Sequence, residues 1–303
     1  MPSKFNIILD TDIGTDIDDA FALALALRAP SSNLNLLGIS TVKGDTKERA
    51  RIAKKMLAIE GKESLPIFAG IPSKSKLIYG KWASDTNLEG VSVDVEEMVD
   101  FYWKMIDSKS NKPLYIVAIG PLSNIAMVRA TNPEEFDEKV NLLIMGGAIH
   151  KGILGKLNII PEFNIFYDIK ASKVLFSSNV RLNMVPLDVT ANLRLSRKDL
   201  ESLSSPDMNN RLLDGVLEMS KEFRKHLLGF RPLIMFDPAT IATLIDDSLA
   251  TFTELPIKIT KLGFTRVIKK PINNIDETVQ PKQVCLDFDK EKFFELFFRL
   301  LTS

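Results

Sequence analysis

Short, unbroken apolar runs alternate with longer amphipathic stretches through the first half of the chain. The runs FNIILD (5–10), LNLLGISTV (34–42), LPIFAG (65–70), PLYIVAIG (113–120) and VNLLIMGG (140–147) predict strands. Continuous rather than alternating apolar runs suit strands buried on both faces. Between them, DDAFALALALRAP (18–30) predicts a helix stopped by Pro30, and DTKERARIAKKMLAIEG (45–61) one with Gly61 as its C-cap. VDVEEMVDFYWKMIDS (93–108) is an amphipathic helix, and PLSNIAMVRAT (121–131) a helix with Pro121 in its first turn. Beyond Gly147 the pattern is less regular. RLNMVPLDVT (181–190) predicts a sixth strand and RLLDGVLEMSKEFRKHLLG (211–229) a longer helix. The polar stretch 72–90 is a long loop suited to a lid or a site wall. The alternation predicts an α/β fold: a mostly parallel central sheet with helices on both faces, a Rossmann-like open sheet. No linker, repeat or low-complexity stretch divides residues 1–303, so a single domain is expected.

Composition narrows the function classes. The chain has 303 residues, 45% apolar and 26% charged, as in ordinary globular proteins. Lys+Arg and Asp+Glu number 39 each, so no net field draws the chain to nucleic acid or to an anionic membrane. The single Cys285 excludes an intramolecular disulfide framework and a multi-cysteine metal site; in QVCLDFD it is expected in the core. The N-terminus is too quickly acidic for a signal peptide, and no charge-free run of 18 apolar residues exists, so a cytoplasmic protein is expected.

The chemistry begins between the first strand and the first helix. Asp10, Asp12, Asp16, Asp18 and Asp19 stand within ten positions. Asp18 and Asp19 suit the positive end of the helix. Five carboxylates this close repel and raise one another's pKa, which calls for a cation. All-oxygen ligands favour calcium or magnesium over zinc. An EF-hand is excluded, because its sixth-position glycine would fall at Thr15 and its twelfth-position glutamate at Phe21. Parallel sheets bind ligands beyond the carboxyl ends of their strands. The aspartates, TVKGD (41–45), AIGPLSN (118–124) and MGGAIH (145–150) all fall there.

Two families share the opening motif. IILDTDIGT resembles a haloacid-dehalogenase-type magnesium phosphatase, with Asp10 as nucleophile and Asp12 as acid/base. Gly14 departs from that pattern, and Asp18 and Asp19 are left without work. DTDIG…DDAFAL resembles the N-terminal signature of the inosine-uridine-type nucleoside hydrolases, and the likeness continues. ISTVKGD, AIGPLSNIAM, LIMGGAIHKG…NIIPEFNIFYD, VPLDVT, FDPATIATLI and VCLDFDKEKFFELF follow in the family's order, over nearly the whole chain.

That resemblance implies calcium-dependent hydrolysis of the N-glycosidic bond of ribonucleosides. Asp12 would be the general base, bridging calcium and the attacking water. Asp19, Asp237 and the Ile119 backbone carbonyl would complete the protein ligands, with Asp16 a further candidate. Asp18 would hold the ribose hydroxyls, and Glu162, Asn164 and Asn158 the rest of the sugar. Family members are commonly dimers or tetramers, so a homo-oligomer is expected.

Three departures stand out. The aspartate loop is two residues longer than the common pattern, which leaves Asp16 without an assigned role. Asp45 stands where the family often has Asn, bringing another carboxylate toward the substrate. Phe236 precedes Asp237 where pyrimidine-active and broad-specificity members carry a histidine acid. His226 and His150 are the two histidines; His226 is the candidate leaving-group acid and His150 a candidate lining residue. Purine-specific relatives place an aromatic before that aspartate, so Phe236 points to purine nucleosides. The lost acid also admits a non-catalytic nucleoside- or ribose-binding relative.

Overall fold

Residues Phe5–Thr11 form a strand, β1, inside a ten-stranded sheet. The computed structural model describes residues 4–108, 110–153, 158–203, 210–226, 232–268 and 280–303. After β1 come α1 (Asp18–Arg28), β2 (Leu34–Thr41), α2 (Thr46–Ile59), β3 (Ile67–Ala69), β4 (Val91–Ser92), α3 (Val95–Ile106), β5 (Leu114–Ala118), α4 (Ser123–Thr131), α5 (Pro133–Lys139) and β6 (Asn141–Met145). The second half holds α6 (Phe163–Tyr167), α7 (Ile169–Ser177), β7 (Arg181–Val185), α8 (Leu187–Thr190), β8 (Arg194–Leu195), α9 (Arg197–Leu203) and α10 (Arg211–Arg224). It closes with β9 (Leu233–Ile234), α11 (Phe236–Ile245), β10 (Ala250–Ile259), β11 (Thr265–Val267), β12 (Pro281–Phe288) and α12 (Lys290–Thr302).

The sheet order is β11-β10-β12-β7-β6-β5-β1-β2-β3-β4. From β12 to β4 the pairings are parallel, and β10 and β11 add an antiparallel edge. The expected mostly parallel α/β architecture is therefore present. Side chains alternate across β1: Ile7 and Leu9 enter one core and Ile8 the other. The first core is closed by α1, α2, α10, α11 and α12, the second by α3, α4 and α7. Both faces are covered, which is why these strands carry unbroken apolar runs.

Some boundaries differ from expectation. α4 begins at Ser123 after the N-cap Leu122, so Pro121 precedes the helix rather than lying in its first turn. The strand expected over 181–190 ends at Val185, because Pro186 has no N–H for the ladder and instead caps α8. The helix expected over 211–229 ends at Arg224, and residues 227–229 lie outside the described residues. The 72–90 segment is not a plain polar loop. It contains a 3-10 turn at Gly80–Ala83, and Tyr79 is fully buried. Among the described residues no helix is long and apolar enough to cross a membrane.

Candidate active site

Two buried helices build the acidic centre. α1 packs against α11. Residues 18–27 of α1 and 237–245 of α11 are buried on every face. A helix that is apolar all round must be enclosed; these two pack on each other and are covered further by α10, α12 and the sheet. Their N-termini bring Asp18, Asp19 and Asp237 together, with one carboxylate oxygen from each within 4.8 Å of the others. The Asp237 N–H donates to Asp18 Oδ2 at 3.1 Å, and the Thr11 hydroxyl to Asp19 Oδ1 at 2.5 Å. Burial, reinforced by the neighbouring carboxylates, pushes all three pKa values well above the ordinary carboxylate range. Among the described residues none of the three has a Lys or Arg ion pair. Oxygens around a calcium ion lie about 2.3–2.6 Å from it, hence within roughly 5 Å of one another. The spacing, the all-oxygen donor set and the missing counter-charge all fit a hard divalent cation.

Asp12 stands beside this group with one oxygen already engaged. Its Oδ2 accepts from the Lys43 ammonium at 2.6 Å, and both side chains are buried. The loop carrying Asp12 is braced from below by Arg49, which is fully buried in α2. Arg49 donates to the carbonyl oxygens of Asp12, of Ile13 (2.7 Å) and of Lys43 (2.6 Å), and to Thr15 Oγ1 (2.8 Å). Tyr79 braces the other side: its hydroxyl accepts from the Gly14 N–H (2.9 Å) and donates to the Asp16 carbonyl (2.5 Å). Gly14 has φ +115°, and a Cβ there would meet Leu77 Cδ2 at 2.7 Å, so only glycine serves at this bend. Asp16 is half-buried and caps locally, its Oδ1 accepting from the Ile17 N–H at 2.7 Å. Burial raises its pKa too.

Behind Asp12 lies Asp10, fully buried. Its Oδ1 accepts from Asn124 Nδ2 at 2.7 Å and from the Ser40 hydroxyl, which also bonds Tyr102. Its Oδ2 has no hydrogen-bond partner among the described residues. Burial, assisted by the charge of Asp12, raises its pKa to about 7.

The opposite wall comes from the loop after β6 and from α6. Glu162 is buried and caps α6; its Oε1 accepts from the Asn164 N–H (2.9 Å), its Oε2 from Gly147 (2.8 Å) and Ile165 (3.1 Å). Burial raises its pKa despite these donors. Asn164 uses both side-chain N–H groups, on the carbonyls of Ile119 (3.0 Å) and Met145 (3.1 Å), leaving Oδ1 for a ligand. The Ile119 carbonyl keeps a second lone pair. Asn158 donates to the Ala148 carbonyl (2.6 Å), and its buried Oδ1 has no partner among the described residues. Asp188 gathers the N–H groups of Ile149, His150 and Lys151 at 2.7–3.0 Å and so shapes the loop between them.

Comparison with known proteins decides the family. The model of the inosine-uridine preferring nucleoside hydrolases matches residues 7–295. The chain belongs to this family. A pyrimidine-specific ribonucleoside hydrolase RihA of Shewanella sp. (strain MR-7) is 30% identical over 315 aligned positions, covering 96% of this chain and 94% of that one. An uncharacterised protein of Schizosaccharomyces pombe is 28% identical over 272 positions, 84% of each chain. Two solved structures share the fold. A plant nucleoside hydrolase superposes with a TM-score of 0.84 at 23% identity, over 99% of each chain. A purine-preferring ribonucleoside hydrolase from Gardnerella vaginalis does so with 0.78 at 21% identity, over 98% of each.

Within this nucleoside hydrolase, the remaining candidate residues divide. Asp45 is exposed and caps α2, accepting from the Glu48 N–H at 3.1 Å. His226 lies beyond the end of α10, exposed, with Nδ1 3.2 Å from the Glu222 carbonyl. Asp45 and His226 line one open cleft of about 530 Å³, whose walls include none of Asp12, Asp18, Asp19 and Asp237. The His150 side chain is exposed, and Phe236 is half-buried against the first core. Asp18 joins Asp19 and Asp237 directly in the buried carboxylate group. Lys43, Arg49, Tyr79 and Asp188 were not anticipated. Lys43 lies inside the quoted TVKGD motif, and Tyr79 inside the stretch marked as a wall. Nothing local marks Arg49, which looks like any charged position on an amphipathic helix.

Proposed function

We propose that this nucleoside hydrolase cleaves ribonucleosides by a calcium-assisted attack of water at C1′, with Asp12 as general base. The observation that carries the reading is the buried trio Asp18, Asp19 and Asp237, with no direct Lys or Arg ion pair among the described residues and Asp12 at its side. Calcium bound there by Asp19, Asp237, Asp12 and the Ile119 carbonyl would polarise a water and the sugar hydroxyls. Asp12 takes the water's proton as the C1′–O bond forms. The C1′–N bond breaks, and the base leaves with the electron pair and accepts a proton. The passing charge on the ribose is cationic, as in other glycosyl transfers, and four carboxylates surround it. Asp18 faces the ribose hydroxyls from within the trio. Glu162, Asn164 Oδ1 and Asn158 Oδ1, which has no partner among the described residues, offer acceptors to the other side of the sugar.

The leaving base meets no histidine at position 236. Phe236 offers a ring face instead, which favours a purine that can be stacked and protonated by solvent. His226, in its separate cleft, supports this reading less than Phe236 does. We expect the protein to be a cytoplasmic homo-oligomer, a dimer or tetramer.

The test is a panel of purine and pyrimidine ribonucleosides incubated with calcium and assayed for reducing sugar. Release of ribose, fastest from purines and abolished by a chelator, is the expected result. Faster release from pyrimidines would reverse the preference. Binding without turnover would replace hydrolysis by a non-catalytic nucleoside-binding role.

A further inference from the structure

Lys43 has no part in the roles assigned so far, yet the fold goes to some length to hold it. It is 4% exposed, at the turn that follows β2. Its φ is +68°, and it is the single non-glycine residue with positive φ among those described. An L-residue meets a steric penalty in this region that glycine avoids. The strain persists because the residue is tied at both ends. Its N–H donates to the Ile71 carbonyl at 3.1 Å, and its carbonyl accepts from Arg49 Nε at 2.6 Å. The ammonium sits 4.2 Å from the centroid of the Phe163 ring and 5.5 Å from that of Tyr167. Asp12 Oδ2, at 2.6 Å, is its hydrogen-bond acceptor. Two aromatic rings and one carboxylate thus surround Nζ.

A buried ion pair is a poor device for stability alone, since both ions lose hydration. Here it divides the two oxygens of Asp12. Oδ2 faces Lys43. Oδ1 faces the opposite strand end, where a Cβ on Gly120 would stand 3.0 Å from it, next to Ile119. A carboxylate free among three others could instead turn both oxygens to a divalent cation, since such ions accept bidentate carboxylates. It would then have no oxygen aimed at water.

We propose that Lys43 is a positioning residue for Asp12: it holds Oδ2 so that Oδ1 alone serves the cation centre and the attacking water. The role rests on the reading of Asp12 as general base. Lys43 acts on the base and not on the ribose, so its loss reduces turnover and leaves sugar binding intact. It also removes a positive charge beside the acidic centre and frees an oxygen for the cation.

Lys43→Met, which keeps the apolar stem, tests this in three measurements. The expected kcat falls by about 30-fold or more, a part of the roughly 100- to 10,000-fold that a general base supplies, while KM stays within about threefold. Calcium affinity of the metal-free protein, by titration calorimetry, becomes tighter. Lys43→Arg, which keeps a charge on Asp12, recovers part of kcat. Should Lys43→Met fail to fold, Lys43→Gln carries the same comparison. A kcat within about threefold of wild type overturns the role, as does calcium affinity weakening in parallel with kcat. Asp12→Asn separates the two readings. Turnover that survives Asp12→Asn removes the general base and the role of Lys43 with it. Turnover lost in Asp12→Asn but kept in Lys43→Met overturns the role of Lys43 alone.

Discussion

Asp10→Asn should stabilise the metal-free protein at high pH and not at low pH. Asp10 is fully buried and its pKa is raised to about 7 from 3.8, chiefly by burial. The folded state therefore binds more protons than the unfolded state between these values. Stability contributed by the neutral carboxyl is present near pH 4 and is lost as pH rises toward 7. At about 1.4 kcal/mol per pKa unit, a shift of roughly 3 units means ionised Asp10 costs about 4 kcal/mol at pH 8. At pH 5 the linkage cost is only about 1–2 kcal/mol on the same scale, so the mutational gain should grow by roughly 2–3 kcal/mol between the two. Asparagine keeps the acceptor that Ser40 and Asn124 use. Its amide group replaces Oδ2, which has no hydrogen-bond partner among the described residues. At about 2.1 cal/mol/K per residue, unfolding 303 residues carries roughly 0.6 kcal/mol/K, so the gain in Tm should widen by about 3–5 °C. Calorimetric scans of both proteins with chelator, at pH 5 and pH 8, give the answer. An equal Tm difference at both pH values, or a loss at pH 8, refutes the assignment of a raised pKa to Asp10.

Other outcomes follow from the same geometry. Arg49→Met leaves the carbonyls of Asp12, Ile13 and Lys43 without their donor, and each unpaired buried acceptor costs about 1–3 kcal/mol. Urea unfolding should show a loss of roughly 3–9 kcal/mol, and a loss under about 1 kcal/mol would mean the loop is held by other bonds. Asp12→Ala should lower kcat by about a thousandfold with ribose binding kept; a similar rise in KM and fall in kcat would make Asp12 a binding group only. Calcium binding to the metal-free protein should release protons and weaken as pH falls, because Asp18, Asp19 and Asp237 all carry raised pKa values. Calorimetry in buffers of different ionisation enthalpy measures this, and buffer-independent heats at pH 5–6 would contradict it.

What was legible along the chain was what short range controls. Burial on both faces of a strand imposes an apolar run, so β1, β2, β5 and β6 could be placed from composition alone. The helix ends were read nearly as well, because caps are local: Gly61 has φ +63° just beyond α2. The hairpin of β10 and β11 was missed, for its partly exposed strands carry no continuous apolar signal. The order of six quoted motifs carried the family, and with it the acidic residues that matter.

The division of labour among those residues was not legible. Asp45 and Asp12 are both carboxylates near a strand end, and only the fold makes one an exposed helix cap and the other the partner of a buried ammonium. Asp237 lies 219 positions beyond Asp18, yet the packing of α1 on α11 sets them side by side. The sequence by itself determined the sheet's buried strands, the family and the need for a cation, because each depends on residue type and local order. Only the tertiary structure decided that Lys43 would stand on Asp12 and Arg49 beneath it. Those contacts join residues more than thirty positions apart, and burial strengthens the charge interactions in them.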